Sequence, residues 1–284
     1  MIDLHSHTTA SDGRSAPDVL IQEAAAAGVT TLAVTDHDTV AGLAVAGIAA
    51  RAAGMTFVPG IEVTAVHEGR DVHVLGYYID AADEQLQQFL DQQRADRRRR
   101  LSEILERLQQ IGVAIDTEPL LARAADDTGK AVGRPMVAEA LVTAGHARDI
   151  AEAFHLYLGD GRPAFVERSG VPPAQVISII RRAGGLASLA HPGKTRIDAL
   201  VSSLADNGLT ALEVYHPDHD AHETARYREM AARYDLLVTG GSDYHGPGSG
   251  REAALGRTGL PAEDFARLMA RARRSPSTGP ADGR

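Results

Sequence analysis

Residues 2–38, IDLHSHTTASDGRSAPDVLIQEAAAAGVTTLAVTDHD, hold one complete unit of the chain's architecture. A short apolar run leads into His5 and His7, an Ala-rich stretch follows, and a second apolar run ends in Asp36, His37 and Asp38. Two histidines one residue apart point the same way only in extended backbone, because side chains alternate across a strand. The opening therefore reads as a strand over Ile2–His5 whose end aims two imidazoles at one point. Asp12 follows, carried round by a Ser-Asp-Gly turn. Ser15 as N-cap, Pro17 in the first turn and Gly28 past the end delimit a helix over Ala16–Ala27. The next strand is Thr31–Thr35. Strand, helix and strand in this order predict parallel pairing beneath covering helices.

Outward from this unit the rhythm continues. A helix is expected over Ala41–Ala53, and strands over Thr56–Val58, Ile61–His67 and Val72–Ile79. Residues Glu84 to about Ile111 read as one long polar helix, with Leu101, Ile104, Leu105 and Leu108 on an amphipathic period. Short helices reach about Leu158, and strands return at Leu186–Ala190, Ala211–Tyr215 and Leu236–Thr239 before a last helix from Pro261. About seven such units suit a barrel better than a small open sheet. The expected organisation is a discontinuous barrel over residues 1–96 and 160–272, interrupted by a helical insertion or lid over 97–159. A Ser/Pro/Gly-rich tail over 273–284 is expected to be disordered.

Composition narrows the chemistry. The 284 residues include no Cys, so disulfides and thiolate metal sites are excluded, and any metal is held by His, Asp or Glu. A net charge of −9 argues against a broad duplex-DNA surface. It leaves room for a small phosphorylated substrate, because bound divalent cations reverse the local field. There is no basic-then-apolar leader and no apolar run long enough to span a bilayer, so a soluble cytoplasmic protein without membrane partners is expected.

Metal-competent side chains gather at the strand ends. These are His5, His7 and Asp12; Asp36, His37 and Asp38; Glu62; His73; His191; Glu213, His216 and His219; and Asp243 and His245. Each alone has an ordinary structural reading, as a solvated histidine, a turn residue or a helix cap. Together those readings would have to coincide on one barrel rim, which is where such folds build active sites. His67, His146, His155 and His222 lie away from the strand ends and are expected outside the site. Imidazoles and carboxylates without sulfur suit Mn, Fe or Zn. The candidates are too many for one ion, and two or three divalent ions bridged by Glu62 would use them.

The segments HSHTTASDG, TDHDT, PGIEVTA, HVLGY, LAHPG, EVYHP and GSDYHG, taken in order, resemble the polymerase and histidinol phosphatase (PHP) family. They look more like its stand-alone branch of nucleotide phosphoesterases, which includes 3′,5′-nucleoside bisphosphate phosphatases and 5′-to-3′ exoribonucleases. The resemblance covers roughly residues 1–80 and 160–260, and GRP at 133–135 also fits this branch. It implies an α/β fold, a distorted (β/α)7 barrel with an inserted helical subdomain, and a trinuclear metal centre. By motif, one ion would be held by His5, His7, Glu62 and Asp243, a second by Glu62, His73 and His191, and a third by Asp12, His37 and His245.

The chemistry implied is phosphoester hydrolysis. Water bridging two ions has its pKa lowered toward neutrality, so hydroxide would attack phosphorus in line while the ions neutralise phosphate charge. Glu62, Asp243 and His216 are the expected catalytic residues, with His216 protonating the leaving oxygen or binding phosphate, and His219 a second candidate for that role. Arg134 would grip a second phosphate through its guanidinium, with Lys194 as a further phosphate ligand. The Arg97–Arg100 run reads as a solvated helix face or as a guide for RNA. The expected substrate is a small phosphorylated nucleotide, most simply the 3′-phosphate of a 3′,5′-bisphosphate, or a short 5′-phosphorylated oligoribonucleotide. A phosphatase acting on another metabolite, such as histidinol phosphate, and a non-catalytic metal-binding barrel in a nucleic-acid complex are the rival readings. Oligomeric state is not legible.

Overall fold

The computed structural model describes residues 1–126 and 129–274. Seven strands form one sheet in chain order: β1 (Ile2–Asp3), β2 (Thr31–Val34), β3 (Thr56–His67), β4 (Arg70–Tyr77), β5 (Leu186–Leu189), β6 (Ala211–Tyr215) and β7 (Leu237–Gly240). The two edges meet: the Leu4 amide donates to the Gly240 carbonyl at 3.1 Å and the His7 amide to the Tyr244 carbonyl at 2.8 Å. The sheet is thus a nearly closed barrel, the architecture expected.

Alternation explains why the strands read as continuous apolar runs. Leu32 and Val34 pack outward against the helices, whereas Ala33 points inward with Leu4, Val58, Leu75 and Tyr77. Both faces are buried, so neither can be polar. The outer layer is α1 (Pro17–Ala26), α2 (Leu43–Ala52) and, after a long excursion, α7 (Pro173–Arg182), α8 (Pro192–Thr195), α9 (Val201–Asp206), α10 (Ala221–Arg233) and α11 (Ala262–Ala272). Phe265 and Leu268 of α11 join the inward cluster.

The excursion comprises α3 (Glu84–Gln110), α4 (Glu118–Ala125), α5 (Arg134–Thr143) and α6 (Ile150–Ala153). It has its own core of Leu101, Ile104, Leu108, Leu120, Val137 and Leu141. Helix α3 serves both cores. Its first turns bury Leu86, Phe89 and Leu90 against the barrel, and its second half buries Leu101, Ile104 and Leu108 in the insertion. The polar stretch between them crosses the barrel mouth. Of the expected tail, Arg273 and Arg274 end the described chain, and residues 275–284 lie outside it.

Three local expectations are corrected. Strand β3 is continuous through Pro59 and Gly60, which mark a change of partner. Residues up to Pro59 pair parallel with β2, and Gly60 to His67 pair antiparallel with β4. Pro59 has no N–H for the ladder, and a Cβ at Gly60 would sit 2.9 Å from Thr35 Cγ2 and 3.0 Å from the Val34 carbonyl. Second, β4 is not parallel: it folds back through Glu68-Gly69, both at positive φ as a two-residue hairpin requires, and also runs antiparallel to β5. Third, Ser15 does not cap α1. Ala16 occupies the N-cap position without a side-chain bond, and Ser15 Oγ instead donates to Glu23 Oε2 at 2.7 Å.

Candidate active site

The reversal of β4 explains how the rim is completed. His5 and His7 follow β1, His37 follows β2, His191 follows β5, and Asp243 and His245 follow β7, all beyond C-terminal strand ends. His73 stands near the start of β4, which reaches the same rim because the strand runs the other way. Glu62 lies within β3 at the centre. His5 Nε2 and His7 Nε2 are each 3.3 Å from Glu62 Oε2, and 3.4 and 3.3 Å from Asp243 Oδ1. On the other carboxylate oxygen, Oε1, converge His73 Nδ1 at 2.9 Å and His191 Nε2 at 3.1 Å. Asp12 stands apart, facing His37 Nε2 at 3.7 Å, His245 Nε2 at 3.5 Å and His7 Nδ1 at 3.8 Å.

Surrounding groups set these rings. Buried Glu213 accepts from His5 Nδ1 at 2.9 Å and from the His191 amide at 2.7 Å. A carboxylate only accepts, so His5 Nδ1 carries a proton and Nε2 is turned toward the centre. His245 Nδ1 donates to the Asp243 carbonyl at 2.8 Å, with the same effect on its Nε2. Asp36 takes the Thr8 amide, the Thr8 hydroxyl and the Ser11 hydroxyl at 2.7, 2.7 and 2.6 Å, and so fixes the loop that presents Asp12. His191 and Asp243 hold positive φ, 28° and 50°. Strain of that kind costs about 1–3 kcal/mol per residue and is retained where surroundings impose it.

The donor set fits divalent cations. His5 Nε2, both ring nitrogens of His7, His37 Nδ1 and His191 Nδ1 are buried without a hydrogen-bond partner, a costly state for groups of this kind. Four overlapping groups have ligand atoms close enough to share an ion: His7–Asp12–His37–His245, His5–His216–Asp243, His5–His7–Glu62 and His37–Glu62–His73. Burial works to raise the carboxyls of Asp12, Glu62 and Asp243, but the facing histidines outweigh it and hold all three well below the carboxylate range. Burial outweighs the carboxylates they face and pushes His37 down to about 3 and His191 down to about 4. Neutral imidazole beside ionised carboxylate is the state that binds metal. Two histidines run the other way: despite burial, Asp12 and Asp243 push His245 up to about 9, and Glu213, Glu62 and Asp243 raise His5 well above its ordinary value.

A cavity of about 470 Å³ opens above this floor, lined by Asp12, His37, His73 and His191 below and by Arg70, Arg97, Arg100, Arg134 and Arg168 around it. Arg134 Nη2 donates to Asp71 Oδ2 at 2.9 Å while its guanidinium lies 5.6 and 5.8 Å from the Phe154 and Phe165 ring centres. Arg97 Nε and Arg168 Nη2 donate to Asp38 Oδ2 at 2.6 and 2.8 Å. Burial works to raise the Asp38 carboxyl, yet these two guanidiniums and the Thr64 amide hold it well below its ordinary value.

A PHP domain model matches residues 3–133. The chain is 36% identical over 254 residues to the 5′-3′ exoribonuclease Rnm of Escherichia coli, spanning 86% of this chain and 85% of that one. It is 33% identical over 259 residues to a 3′,5′-nucleoside bisphosphate phosphatase of Chromobacterium violaceum, spanning 88% of each. This chain belongs to the PHP family. A crystal structure from Bifidobacterium adolescentis, of a protein proposed to be a metal-dependent phosphoesterase, superposes with a TM-score of 0.87 at 33% identity over 95% of both chains. The PHP protein described here is accordingly a hydrolase of phosphoester bonds. Among its described residues, no helix is long and apolar enough to cross a membrane.

Arg134 and Lys194 both line the cavity, Lys194 43% exposed with Nζ 3.9 Å from Asp243 Oδ2. His216 and His219 stand deeper than these two. The His216 side chain is fully buried: Nδ1 accepts the Asp218 amide at 3.1 Å and Nε2 faces Asp243 Oδ2 at 3.3 Å. Its Nε2 lies within the His5–His216–Asp243 group at the edge of the centre. His219 is further removed, Nδ1 donating to the Val214 carbonyl at 2.9 Å and Nε2 accepting the Gly193 amide at 3.1 Å. Both its nitrogens are engaged by backbone, and it fixes the β6 loop against α8.

Of the arginines around the mouth, Arg134 was expected and the Arg97–Arg100 run was read two ways, whereas Arg168 was missed. In the Arg97–Arg100 run, Arg98 and Arg99 are exposed, but Arg97 and Arg100 turn into the cavity, their spacing of three placing them on one helix face. The available signal was the interruption of the apolar stripe of α3 between Leu90 and Leu101. Arg168 offered none. Arg251, also missed, reaches Asp243 Oδ2 at 3.4 Å and pairs with Asp218 at 2.7 Å.

Proposed function

We propose that the protein is a metal-dependent phosphoesterase of phosphorylated nucleotides, removing the 3′-phosphate of a 3′,5′-bisphosphate and shortening 5′-phosphorylated RNA. Three ion positions account for the floor: His5, His7, Glu62 and Asp243; Glu62, His73 and His191; and Asp12, His37 and His245. Divalent cations bound there supply charge neutralisation at phosphorus and an acidified attacking water. The residues do the rest. Glu62 offers one oxygen to each of two neighbouring positions. Glu213, His216 and Arg251 orient His5 and Asp243. Lys194, at the mouth, is the cation available to the departing 3′-oxygen.

The observation that carries the nucleotide reading is the charge around the cavity. A monoester needs only the floor, yet Arg97, Arg100, Arg134 and Arg168 surround the opening and outnumber the three carboxylates they face at its wall, Asp38, Asp71 and Asp160. A second phosphate would take over the guanidinium of Arg134 from Asp71, and guanidinium grips phosphate bidentately. The similarity to an exoribonuclease and to a bisphosphate phosphatase supports the same substrate class.

The test uses manganese-loaded protein with adenosine 3′,5′-bisphosphate, histidinol phosphate and a 5′-phosphorylated oligoribonucleotide, reading phosphate and mononucleotide release. Turnover of the nucleotide substrates is expected, and failure on both overturns the proposal. Arg134→Ala should lower kcat/KM for the bisphosphate by about tenfold to a hundredfold while changing a simple monoester by less than about threefold. Equal losses would remove Arg134 from the second-phosphate role.

A further inference from the structure

A second cavity, of about 600 Å³, lies on the other side of the loop that carries Asp12. Its walls are that loop and helices α4 and α5, and Asp12 lines both this cavity and the arginine-ringed one. Pro119, Leu120, Met136 and Ala140 form an apolar wall, and Arg14 and Glu139, paired at 2.7 Å, stand at its edge. Beneath, Arg123 donates to the Thr9 and Ser11 carbonyls at 2.7 and 2.6 Å and ties the loop to α4. An apolar wall with a few hydrogen-bonding groups at its edge, at this volume, is the composition of a small-molecule subsite. None of these groups has a part in binding a bisphosphate.

We infer that this second cavity holds the nucleoside attached through its 5′-oxygen to the scissile phosphate, and so makes the site an exonuclease subsite as well as a phosphatase site. The inference rests on the proposed nucleotide activity. With the 5′-phosphate among the arginines and the next phosphate on the metal floor, the chain continues past Asp12 into the only wall segment the two cavities share among the described residues. The reaction is the same for both substrates. Water oxygen bonds to phosphorus, the bond from phosphorus to the 3′-oxygen breaks, and a water proton ends on that oxygen. A bisphosphate yields inorganic phosphate and a 5′-nucleotide. RNA yields a 5′-nucleotide and a chain one residue shorter that again bears a 5′-phosphate, ready for the arginines.

The test compares adenosine 3′,5′-bisphosphate with the 5′-phosphorylated dinucleotide pApA, using wild type, Thr143→Trp and Ala140→Trp. Thr143 is exposed on the cavity rim, and its substitution leaves the insertion's core untouched. Filling the cavity should lower kcat/KM for pApA by about tenfold or more while the bisphosphate stays within about twofold. Metal-free protein provides an independent reading: the Kd ratio of pApA to 5′-AMP should rise by a similar factor in the variants. Unchanged pApA cleavage and binding in Thr143→Trp overturns the inference, as does an equal loss on both substrates. Wild type that cleaves the bisphosphate but not pApA also overturns it and leaves the phosphatase reading standing. Wild type that cleaves neither overturns the proposed function itself.

Discussion

Asp38 shows how single residues carry both stability and site. Its carboxylate is fully buried and joins Arg97 of α3 to Arg168 of the returning chain, so one side chain fastens the insertion over the mouth. A folded carboxyl held below its ordinary value of 3.8 contributes stability that is present above that pH and is lost as the pH falls toward the folded value. Stability should therefore decline as pH drops below about 4. Asp38→Asn should destabilise the protein at pH 7 by about 3–5 kcal/mol, because it strands two buried guanidiniums. It should also flatten the acid limb, as read from thermal melts between pH 7 and pH 3. At this scale the gathering of the floor's histidines and carboxylates was legible beforehand, because each sits where a strand ends or crosses the rim, or in the loop just past one. The hydrogen-bond partners of His216 and His219 were not, since a histidine's identity says nothing of which groups engage its nitrogens. Arg97 and Arg100 were ambiguous for the opposite reason: on a long polar helix a buried guanidinium and a solvated one have the same spacing.

Between elements, the decisive feature is the partner change in β3. The strand must pass close to β2 and then leave it for β4, with Glu62 two residues beyond the switch. Gly60→Ala would place a Cβ 2.9 Å from Thr35 Cγ2 and 3.0 Å from the Val34 carbonyl. An expected loss of about 1–3 kcal/mol follows from such crowding, and kcat should fall with it because Glu62 is displaced. Calorimetry and initial rates on one preparation check both. Pro-Gly was readable as punctuation, but not as a switch of partners within one continuous strand, because pairing is a property of neighbours distant in the chain. The hairpin was similarly concealed. His67-Glu68-Gly69-Arg70 lacks the Asn-Gly or Asp-Gly that most plainly marks such a turn, so β4 passed for another parallel strand although its histidine was correctly placed on the rim.

For the whole molecule, the barrel count and the long excursion were visible in the periodicity, and the geometry adds how the two are coupled. Helix α3 is anchored in both cores and carries Arg97 and Arg100 across the opening. The floor beneath crowds imidazoles and carboxylates whose buried nitrogens want partners. A ligand that binds only the folded state stabilises it by about 2.7 kcal/mol at a hundredfold excess over Kd. Manganese added to metal-stripped protein should therefore raise the melting temperature by about 5–10 °C, and a thermal melt without shift would count against the ion positions assigned here. The most direct measurement is the initial rate of phosphate release from adenosine 3′,5′-bisphosphate by metal-stripped protein, the same protein reconstituted with manganese, and reconstituted Glu62→Gln. The account predicts negligible release from the stripped protein, recovery on reconstitution, and a loss of at least about a hundredfold in Glu62→Gln. Hydrolysis that proceeds equally in all three would contradict it.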